Sequence, residues 1–191
     1  MHAPGLYEYQ EIGSIENRRG DAFKVIIGLP EELAKELRLR SLDEYDIELQ
    51  ENTSDRERFG EGSYKDWFHN RTPFAVVAPD GSLAAFAWLG PKPLGQKSMK
   101  HVSPGARAES HDADSGGWHT VSFRSYEPFR GVGIMRPFIQ KVLTAYKELF
   151  PDAKIWAIID AKNASSIALS DKLGFKMEPQ TDADFVTMTL T

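Results

Sequence analysis

The stretch Phe129-Arg130-Gly131-Val132-Gly133-Ile134-Met135 decides how the rest of the chain is interpreted. Its two glycines stand one residue apart, and because glycine has no Cβ, both can turn their backbone N–H groups to the same side. A strand-like run from Trp118 to Phe123 precedes the stretch, and a helical pattern from Ile134 to Phe150 follows it. The N-terminus of that helix adds the positive end of its dipole, so the stretch predicts an anion-binding loop. A lone Gly-x-Gly is equally typical of a simple turn before a helix.

Two other phosphate-binding loops are excluded by the residues themselves. A P-loop requires Gly-Lys-Ser/Thr at its end, but Gly133 is followed by Ile134 and Met135. A dinucleotide-binding fold requires a third glycine at position 136, which is occupied by Arg136. Neither nucleotide-binding class therefore accounts for the stretch.

The loop resembles the Arg/Gln-x-x-Gly-x-Gly/Ala signature of the GNAT acetyltransferases, with Met135 where that family prefers a small residue. In the family, backbone amides of this loop hold the pyrophosphate of acetyl-CoA. The resemblance therefore implies acetyl-CoA as co-substrate. It places the cofactor on Arg130, Gly131, Val132, Gly133, Ile134 and Met135.

A second segment, Asn163 to Phe175, is similar to another motif of the same family. Its sequence, Asn-Ala-Ser-Ser-Ile-Ala-Leu-Ser-Asp-Lys-Leu-Gly-Phe, resembles the family's Asn-x-x-(Ala/Ser)-x-x-(Leu/Phe)-Tyr-x-Lys-x-Gly-Phe helix, which flanks the pantetheine arm. This implies that Asn163 and Ser166 contact the cofactor. The two motifs together cover roughly residues 118–178 and predict an α/β fold of the GNAT-like acyl-CoA N-acyltransferase type, with a mixed central sheet flanked by helices.

The resemblance also indicates which groups would act on the thioester. Backbone amides of the strand before the loop polarise the thioester carbonyl in this family, and here they belong to Phe123, Arg124 and Ser125. A tyrosine on the family's last conserved helix commonly protonates the leaving thiolate, but this chain has Ser170 at that position. A serine hydroxyl is a poor proton donor, so Ser170 is either a hydrogen-bonding substitute or the mark of a site without the acid step. Tyr126 is an alternative acid, unless it simply packs beneath the loop.

A general base has to lie near the strand that would bind the thioester. His119 has a suitable intrinsic pKa, although strand alternation can also turn it into the core. Glu127 is closer to the expected phosphates, where a carboxylate would repel them. We prefer His119 to Glu127 and keep a water relay to Glu61 or Asp66 as an equal alternative.

Composition limits the class of protein. The 191 residues suit one domain, and 41% hydrophobic with 27% charged residues is ordinary globular composition. No apolar run approaches the ~20 residues of a membrane span, so we expect a cytoplasmic protein that does not bind a membrane. The absence of cysteine excludes disulfides and a cysteine nucleophile. A net charge of −5 argues against nucleic acid as a partner and mildly favours small cationic substrates.

Hydrophobic periodicity predicts the remaining elements. In chain order, the expected elements are an N-terminal hairpin to Ile27, a helix over Pro30–Arg40, a hairpin over 74–89, a strand over Lys154–Ile159, and closing strands at Phe175–Met177 and Phe185–Leu190. Tyr64, Trp67 and Phe68 share helical spacing, which predicts either a core-facing stripe or the wall of a substrate pocket.

Residues 90–117 lose all periodicity and collect glycine, proline and serine. A connection of this length predicts either a functional lid or a mobile insertion within a single domain over 1–191. His101, His111, Asp112 and Asp114 lie there, in a stretch without helical periodicity. A solvated loop therefore explains them better than a metal site.

These observations favour an N-acetyltransferase that moves the acetyl group of acetyl-CoA to a primary amine of a small molecule or peptide. The alternatives are a non-catalytic acyl-CoA-binding or regulatory module with the same fold, and a structural domain without a ligand. No motif identifies the acceptor, which this family binds through segments corresponding to residues 30–70 and 90–117. The resemblance is also compatible with a homodimer formed through the C-terminal strands.

Overall fold

The computed structural model describes residues 2–97, 115–179 and 182–190. The strands are β1 Tyr9–Glu16, β2 Ala22–Gly28, β3 Thr72–Val77, β4 Leu83–Pro91, β5 Trp118–Ser125, β6 Lys154–Asp160, β7 Lys176–Met177 and β8 Phe185–Leu190. The helices are α1 Glu31–Leu42, α2 Ile47–Asn52, α3 Tyr64–Trp67, α4 Met135–Leu149 and α5 Ala164–Lys172, and a π-helical turn spans Arg56–Gly60.

The strands form one sheet in the order β1-β2-β3-β4-β5-β6-β8-β7. Strands β1 to β4 pair antiparallel in sequence, as do β6 with β8 and β7 with β8. Strands β5 and β6 pair parallel and are joined by α4, as parallel pairing requires a crossover. The sheet is therefore mixed and flanked by helices, which confirms the predicted α/β fold class.

Contacts divide the chain into two compact units. The first unit contains Met1–Leu89 and Ser122–Pro151, and the second contains Gly90–Val121 and Asp152–Thr191. Strand β5 begins in the second unit and ends in the first. The single domain over 1–191 stays a prediction.

Two hairpins in the first unit confirm the two hairpins predicted from the sequence. The β1–β2 turn is closed by Asn17, whose Oδ1 accepts hydrogen bonds from the backbone N–H groups of Arg19 (2.8 Å) and Asp21 (3.0 Å). The β3–β4 turn uses Gly81 at a φ of +88°, which favours glycine. Every residue from Leu83 to Leu89 is buried, so β4 lies at the centre of this unit's core.

The helices of the first unit form for reasons that are partly visible in the sequence. Helix α1 follows Pro30 and buries Leu33 and Leu37, as their spacing predicts. Helix α4 buries the 3.6-residue stripe that includes Phe138, Val142 and Tyr146. Helix α2 and the π-helical turn were not predicted, because the segment before Gly62 is dominated by polar residues.

The second unit confirms the predicted C-terminal order. Residues Trp118, His119 and Thr120 of β5 pair with Lys154, Ile155 and Trp156 of β6. The Oδ1 of Asn163 accepts a hydrogen bond from Ser166 N (3.1 Å) and caps α5, which is followed by Gly174 at a φ of +94°.

The expected insertion over 90–117 is described only at its ends. Strand β4 continues to Pro91, and residues 115–117 lead into β5. His101, His111, Asp112 and Asp114 lie outside the described residues. Within the described ranges, no helix is both long and apolar enough to cross a bilayer.

Candidate functional site

The loop before α4 adopts the backbone that its glycines predict. Gly131 has a φ of +77° and Gly133 a φ of +97°, both in the left-handed region that side chains disfavour. Ile134 follows with helical dihedrals and is 1% exposed, so it anchors the end of the loop in the core. The loop is thus held on one side by a buried residue.

The N-terminus of α4 has no acceptor of its own. No side chain caps the helix, and its first turn contains no acidic residue, whereas α1 carries Glu31 and Glu32 at the same place. The first N–H groups of a helix have no partner within the helix and lie at the positive end of its dipole. An external anion is the partner that this end of α4 fits.

The β1–β2 turn reaches the loop through Arg18. Its backbone N–H donates to the carbonyl oxygen of Val132 at 3.1 Å. A Cβ on Gly133 would lie 2.7 Å from Arg18 Cγ and 3.2 Å from Arg18 Nε, so only glycine permits this approach. The Arg18 side chain is exposed and forms no ion pair with another described residue. It places a positive charge beside the loop.

Arg130, the charged residue of the loop motif, is held by carboxylates. Its Nη2 lies 2.8 Å from Asp46 Oδ2, and its Nε and Nη1 lie 3.4 Å from carboxylate oxygens of Glu48 and Glu127. Nη2 also donates to the backbone oxygen of Ser125 at 3.0 Å. Burial by itself lowers the pKa of Arg130, but Asp46, Glu48 and Glu127 outweigh it and raise the pKa. Arg130 therefore fixes the loop, and its contact with a cofactor stays a prediction.

The strand residues before the loop carry a buried ion pair. Nη1 of Arg124 donates to both carboxylate oxygens of Asp55, at 2.7 and 2.8 Å. The Asp55 side chain is fully buried and that of Arg124 is 8% exposed. Phe123, Arg124 and Ser125 lie beyond the β5 residues that pair with β6. Their predicted role toward a thioester stays a prediction.

Comparisons with known proteins bear on the fold. No protein-family model and no curated protein sequence matches the chain. Among solved structures, the GNAT domain of S. lividans PAT superposes with a TM-score of 0.61 at 15% identity, covering 94% of this chain and 96% of that one. Spermidine N-acetyltransferase from Vibrio cholerae, in complex with CoA and spermine, gives a TM-score of 0.61 at 13% identity, covering 87% of this chain and 94% of that one. Mycobacterium smegmatis RimJ, in complex with CoA-disulfide, gives a TM-score of 0.60 at 17% identity, covering 100% of this chain and 90% of that one.

This chain has the GNAT fold. The agreement covers 94% of this chain for S. lividans PAT and 100% for Mycobacterium smegmatis RimJ. At these identities the likeness establishes the fold alone, and the site has to be judged from its own residues.

Tyr126 directly follows β5 and is fully buried. Its N–H donates to Ala84 O at 3.0 Å, and its carbonyl oxygen accepts from Phe129 N at 2.8 Å. Burial above all, and then Asp55, raise the pKa of Tyr126 well above its usual value, although Arg124 opposes them. The phenol therefore stays protonated, and its burial is what the packing alternative expects. Its role as an acid stays a prediction.

The candidate bases occupy different surroundings in this GNAT fold. His119 is half-buried on β5, opposite Ile155 of β6. Glu127 is exposed and pairs with Arg130. Glu61 is exposed and lies 3.2 Å from Arg56, and Asp66 is exposed on α3. His119 is the least exposed of these candidates, and its role as base stays a prediction.

Ser170 stands near the end of α5, where the GNAT motif has tyrosine. It is fully buried, and its hydroxyl has no hydrogen-bond partner among the described residues. Its backbone oxygen accepts from Phe175 N at 3.0 Å, within the turn that ends the helix. The Asn163 carboxamide oxygen is already used by the helix cap. The predicted contacts of Asn163, Ser166 and Ser170 with a cofactor stay predictions.

Replacing Ser170 with alanine is expected to leave the free energy of unfolding unchanged or raise it by up to about 1 kcal/mol, because a buried hydroxyl without a partner costs free energy. Ser41 is the matched control, since it is equally buried but donates to Leu37 O at 2.7 Å. Ser41→Ala should lower the free energy of unfolding by about 1 kcal/mol. Urea unfolding measures both, and a clear loss in Ser170→Ala would mean that the hydroxyl has a partner.

Proposed function

We propose that this protein is an N-acetyltransferase that transfers the acetyl group of acetyl-CoA to a primary amine. The observation that carries the proposal is the loop before α4, where two left-handed glycines precede a helix without a side-chain cap or an acidic first turn, in a chain with the GNAT fold. Two of the similar structures contain CoA or a CoA disulfide. An anion-binding loop in this fold suits the pyrophosphate of CoA.

The residues present fit such a cofactor. Backbone N–H groups from Gly131 to Met135 would hold the pyrophosphate, because the helix end offers donors and a positive dipole. Arg18 would add a positive charge to the same place, while Arg130 would keep the loop in shape. No pattern in the sequence points to Arg18, since it lies more than a hundred positions upstream of the loop and contacts it only through the fold.

The reaction needs the amine nitrogen to attack the thioester carbonyl carbon. A C–N bond forms, the C–S bond breaks, the amine loses a proton to a base, and the CoA thiolate takes up a proton. Holding the two reactants in place supplies ~7–11 kcal/mol of the barrier. His119 is the proposed base, directly or through water, and Ser170 or Tyr126 the proposed proton donor or hydrogen-bonding group.

Thiol release from acetyl-CoA in the presence of a panel of primary amines tests the proposal. The chain contains no cysteine, so a thiol reagent reports only CoA. Amine-dependent release together with an acetylated product is the expected result. Binding of acetyl-CoA without release of the CoA thiol for any amine would favour a non-catalytic acyl-CoA-binding module. The presence of Ser170 in place of tyrosine supports this alternative. If calorimetry detects no binding of CoA, both the acetyltransferase and the acyl-CoA-binding module are overturned.

Replacing Arg18 with glutamine is expected to weaken CoA binding about tenfold at low salt, because one charge-assisted contact to a phosphate is lost. The loss should shrink as ionic strength rises, since the contact is exposed. Arg19→Gln is the matched control: this residue is also exposed in the β1–β2 turn, and only its backbone N–H bonds to Asn17. Calorimetric titration measures both, and equal affinities for the two variants would remove Arg18 from the site.

A further inference from the structure

The segment formed by α1 and α2 contacts the residues that lead from β5 into the glycine loop at two places. Arg40 of α1 donates through Nη1 to the backbone oxygen of Glu127 at 2.9 Å, and its Cζ lies 5.1 Å from the ring centroid of Tyr126. Asp46, at the start of α2, has its Oδ2 2.8 Å from Nη2 of Arg130. Both contacts therefore fall on the short stretch directly before the first glycine of the loop.

Asp46 uses its two carboxylate oxygens for different partners. Oδ1 accepts a hydrogen bond from Leu49 N at 3.0 Å and so caps α2, while Oδ2 accepts from Nη2 of Arg130 at 2.8 Å. The Asp46 side chain is 9% exposed and that of Arg130 is 18% exposed, so solvent screens this ion pair only weakly. A carboxylate fixed at both oxygens leaves the guanidinium group one favourable position.

Arg130 carries the contact from Asp46 to the backbone of the loop. Its Nη2 also donates to the backbone oxygen of Ser125 at 3.0 Å, so one nitrogen joins the end of β5 to the start of α2. The next residue, Gly131, has a φ of +77°, and glycine loses more conformational freedom on ordering than any other residue. The loop therefore depends on contacts outside its glycines to keep its N–H groups in place.

Asp46 is an acid placed beside a loop whose own chemistry attracts anions. A carboxylate repels a phosphate and cannot donate a hydrogen bond to one. Both hydrogens on Nη2 of Arg130 are already used, one by Asp46 and one by the backbone of Ser125. The contribution of Asp46 to the loop is therefore the position that it gives to Arg130.

We propose that Asp46 is a positioning residue for the cofactor loop. Through Arg130 it fixes the backbone whose N–H groups would hold the pyrophosphate of CoA, and by capping α2 it joins that helix to the loop. The inference rests on the proposed binding of CoA and adds a residue outside the loop on which that binding depends. It predicts that removing this negative charge weakens the binding of an anion, which is the opposite of what charge alone would do.

Calorimetric titration of the Asp46→Asn variant with CoA tests the inference. Asparagine caps a helix as well as aspartate does, but without the charge it holds Arg130 more weakly. We expect CoA to bind about tenfold more weakly, at low and at high ionic strength alike, since groups in one ion-pair network are coupled to this extent. Asp46→Ser, which also caps a helix but is too short to reach Arg130, should give the same loss.

Glu48→Gln is the matched control for both Asp46 variants. Glu48 Oε2 lies 3.4 Å from Nε of Arg130, but the Glu48 side chain is 61% exposed, so this pair contributes little. The variant removes the same charge beside the same arginine, and we expect it to bind CoA as tightly as the parent or more tightly. All titrations are made below the melting temperature of every variant. If Asp46→Asn and Asp46→Ser bind CoA as tightly as Glu48→Gln does, the inference is overturned.

A double-mutant cycle shows whether Asp46 acts through Arg130. Arg130→Gln alone should also weaken CoA binding about tenfold, and the double variant should bind CoA no more weakly than either single variant, because both changes remove the same contact. Losses that multiply to about a hundredfold in the double variant would mean that Asp46 acts independently of Arg130, and the inference would be wrong.

Steady-state kinetics separate this inference from the proposed function. Asp46→Asn should raise KM for acetyl-CoA about tenfold and leave kcat and KM for the amine unchanged. Weaker CoA binding by Asp46→Asn, in a protein that acetylates no amine, would sustain the positioning role and overturn the enzyme. Acetyl transfer with the same KM for acetyl-CoA in Asp46→Asn and in the parent would sustain the enzyme and overturn the positioning role.

Discussion

A Gly133→Val variant is expected to bind CoA at least tenfold more weakly than the parent protein. Gly133 has a φ of +97°, which a β-branched residue adopts only with strain. Its new Cβ would also lie 2.7 Å from Cγ of Arg18, so the arginine or the loop must move. Both changes act on the N–H groups that we propose as the pyrophosphate donors. Calorimetric titration with CoA measures the effect.

Gly81→Val is the matched control for this experiment. Gly81 has a φ of +88°, close to that of Gly133, but lies in the β3–β4 turn with nothing within 4 Å of an added Cβ. It therefore carries a similar backbone strain away from the loop. We expect a similar loss of stability in thermal unfolding but an unchanged affinity for CoA. If Gly133→Val binds CoA as tightly as Gly81→Val does, the pyrophosphate is not held by this loop.

Replacing Asp55 with asparagine is expected to lower the free energy of unfolding by about 3–5 kcal/mol, because the change leaves buried Arg124 without its counter-charge. Arg124 donates to both oxygens of the carboxylate and is 8% exposed, so water cannot replace the lost partner. For a chain of this size the melting temperature should fall by roughly 10 °C. Denaturant unfolding and thermal melting both measure the effect.

Glu44→Gln provides the comparison for Asp55. Glu44 pairs with Arg56 at 3.4 Å, but the two side chains are 75% and 37% exposed. Exposed ion pairs of this kind contribute at most about 1 kcal/mol to the free energy of unfolding. The Glu44→Gln variant should therefore be almost as stable as the parent protein. Equal stabilities of Asp55→Asn and Glu44→Gln would mean that Arg124 finds another partner or is reached by water.

The elements predicted correctly are those whose signals are local. Helix α4 was predicted from the helical pattern over Ile134–Phe150, and the β3–β4 hairpin from the hydrophobic periodicity over 74–89. Each signal lies within a few residues of the structure that it produces. The family resemblance added the prediction of a mixed central sheet flanked by helices, and the sheet confirms that fold class.

Features that depend on distant contacts were not predicted. Asp55 was not singled out, because its partner Arg124 is 69 residues away and no spacing rule connects them. Arg18 and Gly133 meet only when the β1–β2 hairpin is formed and placed. Helix α2 was not recognised, although the carboxylate of Asp46 caps it and also pairs with Arg130. In each case a polar residue has its role because the fold supplies its partner.

The backbone bond from Arg18 N to Val132 O joins an edge hairpin to the loop before α4. Strands at the edge of a sheet open locally more readily than strands in the core. Local opening of the β1–β2 hairpin would break the hydrogen bond from Arg18 N to Val132 O. A ligand that orders the loop would hold Val132 in place and so slow the exchange of the Arg18 amide hydrogen with solvent. Occupancy of the loop can therefore be followed from the β1–β2 hairpin by hydrogen–deuterium exchange, in a segment more than a hundred residues away in sequence.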